Sequence, residues 1–273
     1  MTEHGRPKPS DELRQVASRR PHLMDHLKKF KQITGEFPQF IEAADDDYES
    51  DRPNVLYPVG GPIFCHVYGD VGQDMKYYAI EPELDQDEGV VFDKVRNRLL
   101  QKSVNKPAPE SEAEYDDRIE ELLQETTKVR DEDADSGVLT RLSNLTDVTS
   151  VEVTQETYEN ILYRLNRDIV GLGPLEPVMR DPANEDIHVI GRSECHVDHG
   201  VYGMLETTVE WESEQAFDQW LRNMGERIGD PVSDSDPIVD STLPDGSRLN
   251  LIYSDDVSLK GPSLTIRQGY EIP

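Results

Sequence analysis

Two short stretches are the most informative about the fold of this chain: LPDGSRLNLIY at residues 243–253 and GPSLTIR at residues 261–267. The first opens with proline and glycine at positions where a tight turn requires them. Apolar and polar residues then alternate in both stretches, which is the period of a strand with one buried face. The sequence therefore predicts two strands of a half-buried sheet, the first of them entered through a turn.

Arg248 and Arg267 lie on the polar side of these two predicted strands. The opposite face carries the apolar residues, which are Leu249, Leu251 and Tyr253 on the first strand and Leu264 and Ile266 on the second. Two fixed guanidinium groups suit a bound anion such as phosphate. A solvated strand face, or local ion pairs with Asp245 or Asp255, is an alternative of about equal weight.

The residues before these strands alternate between helical and strand patterns. Thr154 is placed to cap a helix that ends before Gly171, and a second helix carries apolar residues at helical spacing over residues 217–228. Strands are predicted at residues 186–190, 194–198 and 203–209. Helices mixed with mostly antiparallel strands predict an α+β fold with a mixed sheet flanked by helices.

A smaller α+β unit is predicted at residues 50–105. Residues 63–68 and 75–81 read as an antiparallel hairpin, and a helix over residues 88–101 could cover it. Because adjacent strand residues face opposite ways, Cys65 is expected in the core and His66 on the surface.

The sequence divides into four regions by composition and charge. We expect a basic arm at residues 1–49, the small unit at 50–105, an acidic linker with one helix at 106–149, and the larger α+β domain at 150–273. Residues 1–31 carry a net charge of +4 and the remaining residues −32. The arm could dock on a partner or on the anionic inner face of the membrane; an ordinary solvated helix is the alternative.

The composition excludes several classes of protein. No run of about 18 apolar residues is present to span a membrane, and the amino terminus lacks the apolar segment of a secretory signal. Two distant cysteines cannot form a disulfide framework, so a cytoplasmic protein is expected. The histidines at 188, 196 and 199 lack the spacing of a metal site. A net charge of −28 argues against direct binding of nucleic acid.

Several segments, and their order along the chain, resemble those of a known family. The run GLGPLEPVMRDP at residues 171–182, with EDIHV at 185–189, resembles the amino-terminal domain of the secretion ATPase superfamily, the hexameric motors of type II secretion, type IV pili and archaella. PIVD at 237–240 and the two stretches quoted first follow in that family's order. Residues 56–60 and 77–82 look like an extra unit of haloarchaeal members. The resemblance covers residues 50–105 and 150–273.

The resemblance implies a mechanism. In that family a P-loop domain binds ATP and Mg²⁺, and the amino-terminal domain closes over it so that arginines reach the phosphates. The resemblance implies this role for Arg248 and Arg267. It also implies a hexamer, and contact with the membrane platform protein of a pilus or secretion system.

The P-loop itself is not in these 273 residues, because none of the 18 glycines is followed by lysine. We therefore expect that this chain alone neither binds ATP tightly nor hydrolyses it, and we assign it no catalytic residue and no metal ligand. These features are explained if the chain is one half of a motor whose ATPase domain is lost or separately encoded. A stand-alone, non-catalytic interaction module that binds the platform or modulates a motor is the alternative, and an unrelated acidic adaptor is a third.

The acidic excess predicts dependence on salt. Asp and Glu number 56 against 28 Lys and Arg, and hydrophobic residues make up only 35% of the chain. Such a composition suits either disorder or a folded protein in molar salt, where the Debye length falls to about 3 Å. The helical and strand periodicities favour the folded protein. We expect far-UV circular dichroism to show loss of structure on dialysis to low salt; cooperative unfolding retained there would contradict this.

Overall fold

The computed structural model describes residues 9–44, 50–103, 112–130, 150–253 and 261–269. Its internal contacts divide the chain into two compact units. The first unit is formed by residues 1–81 together with 174–273, and the second by residues 82–173. None of the described helices combines the length and the apolarity that crossing a bilayer requires.

The described helices and strands follow in chain order. The helices are α1 (Asp11–Ala17), α2 (Pro21–Thr34), α3 (Gln86–Ser103), α4 (Glu112–Thr126), α5 (Gln155–Ile169), α6 (Glu176–Met179) and α7 (Glu214–Arg227). The strands are β1 (Gln39–Phe40), β2 (Asn54–Gly60), β3 (Ile63–Tyr68), β4 (Lys76–Ile80), β5 (Thr127–Val129), β6 (Val151–Val153), β7 (Asn184–Ile190), β8 (Glu194–His199), β9 (Gly203–Thr207), β10 (Ile238–Thr242), β11 (Arg248–Ile252) and β12 (Ser263–Arg267).

The first unit is built on one ten-stranded sheet in the order β1-β2-β3-β4-β9-β8-β7-β12-β11-β10. The β1–β2 and β4–β9 pairings are parallel, and the other seven are antiparallel. The α+β fold with a mixed, mostly antiparallel sheet flanked by helices is thereby confirmed. The predicted hairpin of β3 and β4 is also present, and β4 joins it to β9 in the same sheet.

Strand alternation gives most of this sheet a buried and a more open face. Leu249 and Leu251 of β11 and Ile266 of β12 are at most 1% exposed, whereas Arg248 and Arg267 are exposed. Helix α7 begins at the N-cap Ser213 and contributes a buried apolar stripe to the core, as its helical spacing predicts.

The amino-terminal helices cover the β2–β4 part of the sheet. Leu13 of α1 and Leu23 and Leu27 of α2 form a buried cluster with Leu56 and Phe64. The expectation that the helix over residues 88–101 covers this hairpin is wrong, because its apolar side packs in the second unit. Residues 10–34 are therefore a packed part of the fold.

His66 is fully buried, so its predicted surface position is wrong. Strand β3 is buried on both faces, since α2 lies over the side chains that alternation alone would leave in water. The Nε2 atom of His26 lies 2.8 Å from Nδ1 of His66, and Nε2 of His66 lies 2.9 Å from Oδ1 of Asn54. The amide of Asn54 donates elsewhere, so Nε2–H of His66 donates to its oxygen and Nδ1 accepts from His26.

The described part of the second unit contains three helices and a two-stranded parallel sheet, β5–β6. Helices α3, α4 and α5 share a core that includes Val95, Leu123, Ile161 and Leu165. Thr154 caps α5 as predicted, its hydroxyl accepting from the backbone N–H of Thr157 at 3.0 Å. The helix expected within the acidic linker is α4, and it is packed in this core; residues 104–111 and 131–149 lie outside the described residues.

These two units differ from the four consecutive regions expected from composition. Residues 10–81 share a sheet with residues 184–267, and residues 82–103 share a core with residues 112–165. Composition cannot reveal such pairings, because they depend on contacts between residues that are distant in sequence. The division into a basic arm, a small unit, an acidic linker and a larger domain stays a prediction.

A buried carboxylate connects the amino-terminal strands to the rest of the first unit. Asp181 follows α6 and is 1% exposed. Its Oδ2 accepts hydrogen bonds from the hydroxyls of Tyr57 on β2, at 2.8 Å, and Tyr77 on β4, at 2.9 Å. Its Oδ1 accepts from the backbone N–H of Ala183 at 3.0 Å.

The tyrosine hydroxyls of this network stay protonated. Burial is the main cause that raises the pKa of both Tyr57 and Tyr77 well above the ordinary value, and neighbouring groups including Asp181 add to it. Burial also lowers the pKa of His199. Its Nδ1 accepts from two backbone N–H groups, so its Nε2–H donates to the hydroxyl of Tyr57 at 2.9 Å.

Replacing Asp181 tests this connection. We expect Asp181→Ala to lower the free energy of unfolding by about 3 kcal/mol or more, because it leaves two buried hydroxyls without an acceptor. Chemical denaturation measures the loss. The control Glu206→Ala removes an exposed pair with Lys76 and should cost less than about 1 kcal/mol. Equal unfolding free energies for the two variants would contradict the role of Asp181.

The two histidines between α2 and β3 predict acid sensitivity. Burial, with a smaller contribution from Lys29, lowers the pKa of His26 to about 4. Burial and then the charge of His26 lower the pKa of His66 well below its ordinary value. The unfolded chain therefore binds more protons between pH 6.5 and 4, so stability is complete above this window and is lost as pH falls through it.

We expect the free energy of unfolding to fall by about 2 kcal/mol between pH 6.5 and 4.5 on account of His26 alone. Denaturant titrations at several pH values measure this slope, and His26→Gln should reduce it by that amount. The control Asn250→Ala replaces an exposed side chain that does not titrate and should leave the slope unchanged. An unaltered slope in His26→Gln would refute the assignment.

Candidate functional site

The more open face of the sheet carries a row of paired strand positions with charged residues at its centre. In register from β10 to β9, the row contains Thr242, Arg248, Arg267, Asp186, Asp198 and Met204, and we call it the arginine row. Two cations are followed by two anions. Directly opposed residues of antiparallel strands have Cα atoms about 4.5–5.5 Å apart, so the guanidinium groups of Arg248 and Arg267 can reach one ligand.

Arg267 is held by a carboxylate of the next strand. Its Nε donates to Oδ1 of Asp186 at 2.8 Å and its Nη2 to Oδ2 at 3.1 Å. The side chain of Arg267 is 72% exposed, whereas that of Asp186 is 17% exposed. Hydrogen bonding and charge from Asp186, and then the charge of Glu185, raise the pKa of Arg267. The arginine thus stays charged, and Asp186 holds its guanidinium in place while the side chain faces solvent.

Arg248 has a different environment. Among the residues that the structure describes, it forms no ion pair, and it lies opposite Arg267 on an exposed strand position. The local ion pair considered with Asp245 is not formed, because that carboxylate binds the backbone N–H and the hydroxyl of Ser247, both at 2.9 Å. Asp255 lies outside the described residues.

The turn before Arg248 packs against the backbone after Arg267. Gly246 has a φ of +86°, which the LPDG turn requires. The N–H of Gly269 donates to the hydroxyl of Ser247 at 3.1 Å, and a Cβ on Gly269 would lie 2.7 Å from the carbonyl carbon of Gly246. Only glycine fits at this approach, so the ends of the two strands that carry the arginines are held together.

A third segment reaches the same end of the sheet. The side-chain amide of Gln268 donates to the carbonyls of Val178 and Met179 at the end of α6, both at 3.2 Å. Its backbone N–H donates to the carbonyl of Glu185 at 2.9 Å. Three parts of the sequence resemblance, at residues 171–189, 243–253 and 261–267, therefore meet around Arg267.

Both cysteines and two of the histidines of the described first unit lie in the core. Cys65 and Cys195 are free and buried; burial raises the pKa of the first well above its ordinary value and that of the second to about 11. Both are therefore protonated and inaccessible. His199 lies in the buried network with Tyr57, and only His188 and His196 face the open side of the sheet. No group of three or more potential ligands within the described ranges is arranged to hold a metal ion.

Sequence reasoning placed both arginines on the polar face but assigned no role to Asp186. Asp186 lies within the quoted segment EDIHV. It is two positions from His188 in the strand, so both side chains lie on the face that carries the arginines. Its pairing with Arg267 depends on the β7–β12 register, which follows from a connection across more than 70 residues and leaves no local signal. The roles of Ser247, Gln268 and Gly269 were missed for the same reason.

Comparison with known proteins gives relatives without a described activity. No family model matches the chain. An uncharacterized protein of Methanocaldococcus jannaschii is 42% identical over 264 residues, which are 96% of this chain and 48% of that protein. A second uncharacterized protein of this organism is 29% identical over 235 residues, or 85% of this chain and 86% of its own length. The chain therefore spans about half the length of the first of these relatives.

Among solved structures, the chain is similar to the VirB11 ATPase from the type IV secretion system of Brucella suis, crystallised in complex with sulphate. The TM-score is 0.33 and the sequence identity 20%, and the match covers 37% of this chain and 31% of that one.

Proposed function

We propose that this chain is the amino-terminal part of a secretion ATPase, in which Arg248 and Arg267 contact the phosphates of ATP bound by a P-loop domain. The domain formed by this chain closes over the nucleotide within a hexamer, and the movement of this domain is passed to a membrane platform protein. The ATP and Mg²⁺ are held by the P-loop domain. This domain is supplied by residues outside the 273 of this sequence, in the same polypeptide or in another.

One observation carries the proposal: two arginines lie directly opposite each other on an open sheet face, at the point where three segments of the sequence resemblance meet. Like charges directly opposite each other on adjacent strands are unfavourable, and Asp186 compensates the charge of Arg267 alone. A polyphosphate between the two arginines removes that repulsion and supplies acceptors for both.

The exposure of the site fits a role that depends on closure. Two exposed arginines attract an anion weakly in water, because the effective dielectric constant is high. When a second domain covers the face and excludes water, the same charges act far more strongly on the developing charge of phosphoryl transfer. An open chain then has little affinity for ATP, and the closed assembly has the full effect.

The longer relative supports the requirement for a further domain. The matched residues make up 48% of that protein, which leaves in it a length comparable to this chain. We propose that a P-loop domain occupies such a position beside this one, with the membrane platform protein and the other hexamer subunits as partners.

The test begins with the DNA and the transcript around the coding region of this chain. A P-loop domain found there, or one that co-purifies, is combined with the chain, and ATP hydrolysis is measured. We expect Arg248→Ala and Arg267→Ala each to lower kcat by about 100-fold or more. The control Asn250→Ala changes an exposed side chain on the same face and should stay within about twofold of the unsubstituted protein.

The isolated chain is expected to show no turnover. Hydrolysis by the chain alone that is lost in Arg248→Ala would contradict the requirement for a P-loop domain. Full activity of both arginine variants in the assembly would refute the phosphate contacts. If no P-loop partner is found and the chain still binds the platform protein, the non-catalytic interaction module is the correct function.

A further inference from the structure

We propose that Asp186 is a positioning residue for Arg267, holding one edge of the guanidinium so that the opposite edge is presented to an anion. The inference rests on the proposed function, in that the anion is a phosphate chain. It extends that function to a residue that touches the arginine and not the nucleotide.

Among the described residues, the hydrogen bonds define which edge of the Arg267 guanidinium is free. Asp186 accepts from Nε and from one N–H of Nη2. A guanidinium has five N–H donors, so both hydrogens of Nη1 and the second hydrogen of Nη2 remain. One N–H of Nη1 and the remaining N–H of Nη2 are parallel and form the end-on fork that binds phosphate oxygens bidentately.

The backbone holds Asp186 in place for this contact. A register shift in β7 lies between Asn184 and Asp186, and such bulges re-aim the side chains that follow. Beyond it, Asp186 is directly opposite Arg267, and the N–H of Gln268 binds the carbonyl of Glu185 beside it. Asp186 is the less exposed partner. The carboxylate therefore lies near the sheet, and the edge of the Arg267 guanidinium that it does not bind faces solvent.

The two arginines consequently have different requirements. Arg267 must bind a carboxylate and an anion at once, which needs two separate edges and which lysine cannot provide. Arg248 has no carboxylate partner among the described residues, so a lysine there supplies much of the same charge. Arg267→Lys should therefore behave like Arg267→Ala, whereas Arg248→Lys should retain part of the function.

The first experiment needs no nucleotide. In the full chain, nitrogen-15 NMR of the arginine side chains measures rotation about the Nε–Cζ bond. We expect this rotation to be slower for Arg267 than for Arg248, and to become equally fast in Asp186→Asn, which keeps the size of the side chain. Asp198→Asn is the matched control, because it removes the same charge from the neighbouring position of the arginine row. Equal rotation of both arginines in the unsubstituted chain would overturn the inference.

The second experiment titrates the full chain with inorganic tripolyphosphate at constant ionic strength and follows the Nε signal of Arg267. We expect Asp186→Asn to weaken binding about tenfold, as loss of preorganisation does, and Asp198→Asn not to weaken it. A double variant of Asp186→Asn with Arg267→Ala should be no weaker than Arg267→Ala alone. Unchanged or tighter binding by Asp186→Asn, or no response of Arg267 at all, would overturn the inference.

These results are separable from those on the proposed function. Loss of ATP hydrolysis in the arginine variants, with no effect of Asp186→Asn on rotation or binding, would leave the proposed function standing and overturn the positioning role. Slow rotation and weakened tripolyphosphate binding, with ATP hydrolysis unaffected by the arginines, would support Asp186 and refute the nucleotide role. The lysine variants add a check, since equal retention at 248 and 267 would count against the positioning role.

Discussion

The first unit depends on the buried carboxylate of Asp181. Strands β4 and β9 pair in parallel over a short stretch of residues. The backbone hydrogen bonds that join the amino-terminal strands to the rest of the sheet are therefore confined to that stretch. Asp181 adds a polar connection in the core, because it accepts from tyrosines on β2 and β4 while its own backbone belongs to the segment after α6. Two buried hydroxyls must find acceptors, and this one side chain serves both.

The same segment connects the core to the exposed arginines. The carbonyls of Val178 and Met179, just before Asp181, accept from the side chain of Gln268, which follows Arg267. The backbone after Gln268 then holds the turn before Arg248 through Ser247. The positions of both arginines thus depend on contacts made by residues with no charge of their own.

Periodicity and capping residues predicted the elements that are amphipathic by themselves: α5 with Thr154, α7, and the strands that carry the arginines. The burial of His66 could not be predicted in this way, because α2 covers its strand from 40 residues away. The pairing of Arg267 with Asp186 is likewise a property of register, which depends on the whole sheet. Alternation identifies the face on which a side chain lies, whereas its partner follows only from the topology.

The order of charges along the arginine row has a physical consequence for when the site acts. On an open face, the opposition of two arginines costs little, because water screens it, and high salt screens it further. Asp186 neutralises one of the two, so the row tolerates exposure without a ligand. Excluding water from this face would raise the cost of the remaining like-charge opposition sharply, unless an anion entered with the covering surface. Under the proposed function, a face of this kind favours closure over a bound polyphosphate and disfavours closure over an empty site, which is the coupling that the proposed nucleotide-driven movement needs.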